Sequence, residues 1–495
     1  MHLTLSKLPA CLLLALAACS GGGGSSNDLT IGPGPVPEFS CLPNSGPVPL
    51  TVQFTDESEL VPTAWQWDFD NDGVIDSTEK NPTHTYTTAG SFAVRLVVRN
   101  ADGSNTTLRQ QAITAEAIVA LGDPLPGLTA AERATFDRGR ELFKKRFTPS
   151  QGLGPLYNAT SCESCHSEPV LGGGADLYRN FYMSAFFGTT PLTNLPSVVV
   201  PAFGGTSTEQ AHSLTRGRYT IPDFPGMVTT AQRNSIPLFG VGLFEFVSNE
   251  TLLANTDPED ANGDGVSGRV NNDGAGMGRF GLKSQSNNIE LFTRAPLMNQ
   301  MGITSNPLRG SAGTVSLEVG MAPQASSSPN SPTIDNDGVA DPEIAPQELA
   351  DLIAFTRFLA PPQARAFGAA EQRGRAQFTS IGCAVCHIPE LPSSRGPVRA
   401  YTDLLIHDMG DDLADGMALG RPQVTLSGPD HTGREFRTQP LWGVSQSHPY
   451  LHDGRAETID EAIRMHGGEG LAARQRYEAL DAQQRADLLT FLEAL

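Results

Sequence analysis

The strongest constraint on this chain is a short cysteine pattern that occurs twice. Cys162-Glu-Ser-Cys165-His166 and Cys383-Ala-Val-Cys386-His387 both read C-x-x-C-H. Two thiols at this spacing can add to the two vinyl groups on one edge of a haem, and the adjoining histidine then lies under the iron. Because both copies carry the histidine, we predict two covalently bound c-type haems, in preference to a redox dithiol or a zinc site.

Related sequence surrounds the two copies. The repeated stretches are Arg138–Phe143 and Arg373–Phe378 before the cysteine pairs, and Ala350–Phe355 and Ala486–Phe491 in the apolar-periodic helices that close each half. This faint internal repeat predicts two related helical modules, residues 129–361 and 362–495. The first module is enlarged by a long insertion.

The N-terminus predicts export and a lipid anchor. The apolar run Leu8–Ala18 is too short to span a bilayer, so we interpret residues 1–18 as a signal peptide. Leu16-Ala17-Ala18-Cys19 resembles a bacterial lipobox, which implies acylation of Cys19, and the following Ser20 implies sorting to the outer membrane. Residues 19–36 would be a flexible tether. The alternative is ordinary cleavage after Ala18, which leaves a free cysteine.

The composition limits the classes of partner that the chain can bind. The chain has 495 residues, with 34 Lys and Arg against 54 Asp and Glu and a net charge of −20, which argues against binding to nucleic acid. The length predicts about three domains. Cys41 stands apart from the two cysteine pairs, and we expect it to be a small buried apolar residue.

Residues 37–116 predict a small β-sandwich. Apolar and polar residues alternate in Leu50–Phe54 and Phe92–Val98, and turn residues separate these runs. The stretches Trp65–Asp70 and Asn81–Tyr86 resemble the polycystic-kidney-disease (PKD) repeat. That resemblance implies an immunoglobulin-like extracellular module that serves in spacing or adhesion and not in catalysis.

Acidic turns supply candidate calcium sites. The main candidate has the oxygen spacing of an EF-hand loop, but it has no flanking helices. Its candidate ligands are Asp68, Asp70, Asp72, Asp76 and Glu79. A solvated acidic hairpin turn is the alternative interpretation. A second turn of this kind contains Asp260, Asn262 and Asp264.

Longer motifs in residues 129–495 resemble the di-haem oxidoreductase family. The resemblance rests on Asp264–Arg269, Gly278–Lys283, Tyr401–Gly410, Pro440–Gly443, Leu451–Arg455 and His466–Glu469. A more distant resemblance links the chain to bacterial di-haem cytochrome c peroxidases and to the di-haem enzymes that mature tryptophan cofactors. The implied fold is multidomain: an all-β PKD sandwich followed by a mainly-α di-haem cytochrome c-like core with long loops.

The family resemblance implies a role for each haem ligand. His387 would be proximal to a six-coordinate electron-transfer haem, with His466 as its distal ligand. Met465 is a rival ligand, and an uncoordinated surface position is a third interpretation for His466. His166 would be proximal to the haem that meets peroxide, and His212 is a candidate sixth ligand there, with a plain polar histidine as the alternative.

One position departs from the family pattern. Gln300 stands in Pro296–Gly302 where the peroxidases carry an acid that shuttles protons. An amide cannot take up a proton at neutral pH, and general acid–base help is typically worth about 10²- to 10⁴-fold in rate. Glu290, Glu318 or Glu245 could substitute in space.

Other family positions have two interpretations each. Trp442 is either an electron relay between haems or a core tryptophan, and Arg455 either pairs with a haem propionate or forms a surface ion pair. We interpret His407 and Met409 as packing and hydrogen-bonding groups. Asn234 falls where relatives hold a calcium ion between the haems.

Together these features predict an exported di-haem c-type cytochrome that acts as a redox enzyme. Electrons from a small redox protein or a quinol-linked donor would pass from one haem to the other, where peroxide or another small oxidant is reduced. The alternative is an electron-transfer cytochrome without catalysis. A third interpretation, an adhesive surface protein, leaves most of the chain unexplained.

Overall fold

The computed structural model describes eleven stretches of the chain. They are residues 34–154, 156–157, 159–186, 198–201, 210–213, 217–220, 228–272, 276–305, 338–417, 419 and 433–495. The chain divides into two compact units, Met1–Ile118 with Arg365–Gly368, and Val119–Ala364 with Ala369–Leu495. Across the described stretches, none of the helices combines the length and apolar character that a membrane span needs.

The first unit is a two-sheet β-sandwich. Its strands are β1 (Phe39–Leu42), β2 (Ser45–Pro47), β3 (Leu50–Asp56), β4 (Ala64–Asp68), β5 (Thr83–Tyr86), β6 (Gly90–Asn100) and β7 (Gly103–Glu116). One sheet has the order β1-β3-β5, and the other has the order β2-β7-β6-β4. The predicted β-sandwich is therefore confirmed.

Strict alternation in β3 explains why the sheets face each other. Leu50, Val52 and Phe54 are buried, and the residues between them are exposed. Phe54 packs against Trp67 from the opposing sheet with ring centroids 5.5 Å apart. Cys41 is buried in the same core, as predicted.

The second unit contains the described helices. They are α1 (Ala130–Lys144), α2 (Asn249–Ala254), α3 (Ile289–Met301), α4 (Pro346–Phe358), α5 (Ala369–Ser380), α6 (Ile459–Arg464), α7 (Leu471–Glu478) and α8 (Ala482–Glu493). Helix α1 begins with a capping box in which Thr129 and Glu132 satisfy each other's backbone N–H groups. Both cysteine pairs begin a short 3₁₀ turn, Cys162–Ser164 and Cys383–Val385.

Short strands complete the second unit. They are β8 (Leu156–Tyr157), β9 (Phe181–Phe186), β10 (Val198–Pro201), β11 (Gln210–Ser213), β12 (Gly217–Thr220), β13 (Val228–Arg233), β14 (Ile406–Asp408) and β15 (Glu435–Arg437). One small sheet has the order β10-β9-β13, another has the order β12-β11-β8, and β14 pairs with β15. The mainly helical unit thus also contains small sheets.

The internal repeat corresponds to two equivalent helix pairs. Helix α1 packs on α4, and α5 packs on α8. A glycine stands at each crossing, where an added Cβ would lie 1.9 Å from the Asp351 carbonyl oxygen at Gly139, or 2.0 Å from that of Asp487 at Gly374. Only glycine lets the backbones approach this closely.

The same arginine–aspartate clamp fixes both helix pairs. Arg138 donates to both carboxylate oxygens of Asp351, at 2.7 and 2.8 Å. Arg373 donates to both oxygens of Asp487, at 2.7 and 2.9 Å. Such bidentate pairs fix geometry as well as adding energy, so each cysteine pair follows a helix held in the same orientation.

Candidate functional site

A cavity of about 510 Å³ lies beside the second cysteine pair. Its lining includes Cys383, Cys386, His387 and His466, and most of its wall is apolar. This volume is within the usual range for cofactor sites, roughly 300 to 1,000 Å³. The two histidines come from different elements: His387 follows the 3₁₀ turn of the cysteine pair, and His466 follows α6.

Both cavity histidines are prepared for ligation. His387 Nδ1 donates to the carbonyl oxygen of Tyr401 at 2.9 Å, and His466 Nδ1 donates to that of Ala462 at 2.7 Å. Nε2 therefore keeps its lone pair in each ring. Burial lowers the pKa of His387 to about 4, and burial also lowers the pKa of His466. Both rings are thus neutral, as metal ligands must be.

Other side chains near the cavity fit ligation less well than His466. Met465 does not line the cavity. His407 Nε2 lies 2.8 Å from Asp403 Oδ2 and its Nδ1 lies 2.7 Å from Glu469 Oε2, so both ring nitrogens have partners. His452 stacks on Phe436 at a centroid distance of 4.3 Å.

His407 is the centre of a buried charge network that the sequence did not predict in this form. Although burial opposes protonation, Asp403 and its other neighbours raise the pKa of His407 well above its ordinary value. Despite its burial, Glu469 has a pKa lowered to about 2 by His407 and by Ser267. Cys386 Sγ lies 3.7 Å from His407 Nδ1. An imidazolium between two carboxylates therefore stands beside the second cysteine pair.

The first cysteine pair has the same local arrangement. His166 Nδ1 donates to the carbonyl oxygen of Gly173 at 2.9 Å, and burial lowers its pKa. Phe143 lies 6.1 Å from the His166 ring, as Phe378 lies 6.4 Å from the His387 ring. The proximal half of the site is therefore built twice on one plan.

One short segment, Ser235–Phe239, serves both sites. Ser235 bonds to Cys165, and Ile236 bonds through its backbone to His166. The N–H of Leu238 donates to Gly172 in the loop after His166, at 2.7 Å. Ile236, Pro237 and Phe239 also line the cavity beside His387. We call Ser235–Phe239 the shared wall.

Gln300 lies close to the first cysteine pair. Its carbonyl oxygen in the last turn of α3 accepts from the N–H of Ala159, three residues before Cys162, at 3.1 Å. Glu290 is ten residues earlier on α3, about 15 Å away at 1.5 Å per residue, and it is paired with Arg294. Glu245 is paired with Arg357. Both described candidates are thus held in ion pairs, and their role as substitutes for an acid at position 300 stays a prediction.

Trp442 is a core residue that also lines the cavity beside the second cysteine pair. It stacks on Phe244 with ring centroids 5.4 Å apart and an interplanar angle of 3°. Arg455 has the second of its two interpretations, an ion pair at the surface, because its Nε donates to Asp453 at 2.6 Å. The Arg455 side chain is 41% exposed and does not line the cavity.

The acidic loop of the sandwich is brought together only in part. Carboxylates of Asp68, Asp70 and Asp76 approach one another closely, and Asp72 and Glu79 are not part of this group. Arg95 donates to Asp68 at 2.7 Å and supplies a counter-charge. Calcium binding therefore stays a prediction.

Some predicted residues fall outside the described parts of the chain. Cys19 and Glu318 lie outside the described residues, as does the His212 side chain.

Asn234 is the residue for which the sequence predicts a calcium ion between the haems. Its amide group donates to the Ala175 carbonyl oxygen at 3.0 Å and to Asn180 Oδ1 at 2.6 Å.

The donor set fits haem better than the alternatives. Redox dithiols need a thiol with a lowered pKa, whereas burial raises the pKa of Cys162 and of Cys383 to about 12. A cavity lined by two neutral histidines, a mostly apolar wall and a C-x-x-C-H turn fits a haem with histidine ligands. Cys162, Cys165 and His166 would hold one haem, and Cys383, Cys386, His387 and His466 the other.

This fold and these sites define a PKD module followed by a helical di-haem cytochrome-like unit. The family model described as "Di-haem oxidoreductase, putative peroxidase" matches residues 209–495, more than half of the chain, and the chain belongs to this family. The match includes the second cysteine pair and begins after the first. A PKD domain model matches residues 35–115.

Individual known proteins are similar to parts of the chain. A cytochrome-c peroxidase, IdrP1, of Denitromonas iodatirespirans is 28% identical over 179 residues, which are 30% of this chain and 45% of that protein. The PKD1 domain of the Vibrio cholerae metalloprotease PrtV is 32% identical and covers 17% of this chain and 96% of that domain, with a TM-score of 0.14. A MauG-like protein associated with microbial copper homeostasis is 23% identical and covers 32% of this chain and 55% of that chain, with a TM-score of 0.23.

Proposed function

We propose that this protein is an exported redox enzyme that passes electrons from a haem at His387 to a haem at His166, where peroxide or a related small oxidant is reduced. The observation that carries the proposal is the shared wall, because Ile236 contacts His166 and also lines the cavity of His387 and His466. Two redox groups on either side of one thin wall are suited to electron exchange.

Covalent attachment follows from the two C-x-x-C-H turns. Each thiol adds across one vinyl group: a sulfur–carbon bond forms, and the thiol hydrogen passes to the neighbouring vinyl carbon, with no change in electron count. Cys162 and Cys165 would hold one haem in this way, and Cys383 and Cys386 the other. The attachment would persist when axial ligands dissociate.

The two sites would differ in their tasks. His387 and His466 would fill both axial positions of one haem, which suits electron storage, while His166 would leave the opposite face of its haem for substrate. Reduction of hydrogen peroxide to two waters consumes two electrons and two protons. The electrons would come from a small redox protein or a quinol-linked donor, and the relative named as a peroxidase of cytochrome c favours the first class.

A second candidate function is electron transfer without catalysis. Gln300 favours it: its backbone bonds to Ala159 close to the first cysteine pair, and its amide side chain cannot supply the protons that peroxide reduction consumes. The two functions differ in what the His166 haem does with hydrogen peroxide.

Electron paramagnetic resonance on the purified full chain separates the two. The enzyme predicts one low-spin and one high-spin haem, with loss of the high-spin signal after one-electron reduction and addition of hydrogen peroxide. Two low-spin haems that ignore hydrogen peroxide would establish the electron carrier instead. A chain mass without two added haems would overturn both.

The location of the protein is a separate part of the proposal. Cys19 would carry lipid and hold the protein at the outer membrane, on its periplasmic face or at the cell surface. Cys19→Ala should release the protein from membranes with its haem spectrum unchanged, and Ser20→Ala should stay bound. Membrane retention of the Cys19→Ala variant would contradict the anchor.

A further inference from the structure

Arg437 is a buried cation that the proposed redox function leaves without a task. It ends β15, opposite Ile406 of β14, and it is 3% exposed. Its side chain lines the same cavity as His387 and His466. A guanidinium in such a place needs a compensating group, because a buried charge is costly unless it is paired.

Among the described residues, Arg437 has only neutral hydrogen-bond partners. Nη1 donates to the carbonyl oxygen of Arg279 at 2.7 Å, and Nη2 donates to Oε1 of Gln439 at 2.9 Å. Nε is buried and has no hydrogen-bond partner among the described residues. The cause of its lowered pKa, about 10, is burial, with no contribution from a nearby acid.

Two other buried arginines of this unit are paired with acids. Arg233 pairs with Asp415, and Arg269 pairs with Glu435. These pairs satisfy the rule that buried charges are matched. Arg437 therefore has the hydrogen-bonding capacity and the charge to receive an anion that enters the cavity.

We infer that Arg437 binds a propionate carboxylate of the haem held by Cys383, Cys386 and His387. The inference rests on the proposed haem at this site. Each haem carries two propionates, and the planar fork of arginine matches a carboxylate better than a point charge does. The free Nε of Arg437 and the apolar wall around it supply the donor and the low dielectric that make this pair strong.

The remaining arginines of the cavity are less suited to this task. Arg474 also has an unpartnered Nε, but it lies 3.9 Å from Glu478 and is 28% exposed. Arg476 is exposed, and its Nε donates to the carbonyl oxygen of Ile381. Arg437 alone among these three is nine-tenths buried. It also takes the role that the sequence suggested for Arg455.

Pairing with Arg437 would raise the reduction potential of the second haem. Reduction adds one electron near the propionate, and an unpaired carboxylate opposes that addition while a neighbouring guanidinium favours it. Removal of the guanidinium should therefore make the haem harder to reduce.

The test is spectroelectrochemistry on the full-length holoprotein with Arg437→Gln, Arg437→Lys and the control Arg455→Gln. Arg437→Gln should keep two covalent haems by mass and lower the potential of the low-spin haem by at least a tenfold change in the reduction equilibrium, about 59 mV for one electron. Arg437→Lys should lower it less, and Arg455→Gln should leave it unchanged. An unchanged potential in Arg437→Gln overturns the assignment.

Two further measurements cover the remaining outcomes. If the wild-type potential follows the concentration of chloride or acetate, a free anion occupies Arg437 and the propionate assignment is wrong. If Arg437→Gln does not fold, infrared redox-difference spectra of wild type with ¹³C-labelled propionates decide: the carboxylate should stay ionised from pH 8 to pH 5, and a protonated band there overturns the assignment. Fewer than two haems in the wild type would instead refute the proposed function.

Discussion

The His166 and His387 sites share one arrangement of cysteine turn and histidine but have different neighbouring segments. Each begins with a glycine crossing and an arginine–aspartate clamp, and each histidine donates its Nδ1 proton to a backbone carbonyl at 2.9 Å. Beside His387 the chain then adds His466, whereas beside the first cysteine pair it adds the end of α3 with Gln300. The repeated framework places the histidine of each C-x-x-C-H turn, and non-repeated segments supply the rest of each site.

The largest expected effect comes from removing the distal histidine. His466→Ala should convert the second haem completely from low-spin to high-spin, with its covalent attachment intact, because only the sixth ligand is lost. Absorption and electron paramagnetic resonance spectra measure this change. Met465→Leu is the matched control and should leave the spectra unchanged; the reverse pattern would transfer the ligand role to Met465.

Glu469→Gln should produce the next largest effect, by leaving the buried His407 with one carboxylate. Breaking a buried pair typically costs about 3–5 kcal/mol in the free energy of unfolding, and exposed Glu457→Gln should cost almost nothing. Since the pKa of Glu469 is lowered from 4.5 to about 2, its contribution is complete above pH 4.5 and is lost as the pH falls towards 2. Urea unfolding across this range tests it; equal losses in both variants would refute the network.

Gln300→Glu tests whether the first site lacks only a proton donor. The reaction with hydrogen peroxide should become faster by about 10² or more, with a pH dependence set by the pKa of the new carboxyl group. Stopped-flow absorption provides the rate, and Gln300→Asn keeps an amide as the control. Equal fast rates in both forms would mean that another residue moves the proton, and equal negligible rates would favour the electron carrier.

The smallest expected effect is an equal loss of stability when the glycine at either helix crossing is replaced. Gly139→Ala and Gly374→Ala each place a methyl group against a carbonyl oxygen, and overpacking of this kind typically costs about 1–3 kcal/mol. Denaturant unfolding of the two variants should give losses equal within about 1 kcal/mol. A loss confined to one variant would show that the two helix crossings are not equivalent.

The sequence predicts what depends on local spacing. The cysteine turns, the strand alternation of Leu50–Phe54 and the paired helices follow from periods of a few residues. Arg437 and the shared wall could not be predicted, because their partners lie far away in sequence: Arg279 is 158 residues from Arg437. Arg455 shows a different limit of the sequence. Its motif does not reveal that Asp453, two residues earlier, holds its side chain outside the cavity.

The shared wall also limits how this molecule can be divided. From the sequence alone, residues 362–495 would form a separate module with one cysteine pair and both histidines that are predicted to bind its haem. Yet Ile236, Pro237 and Phe239 form part of the cavity around His387, so the second module by itself would leave that cavity open on one side. A segment of the first module is thus structural material for the site of the second.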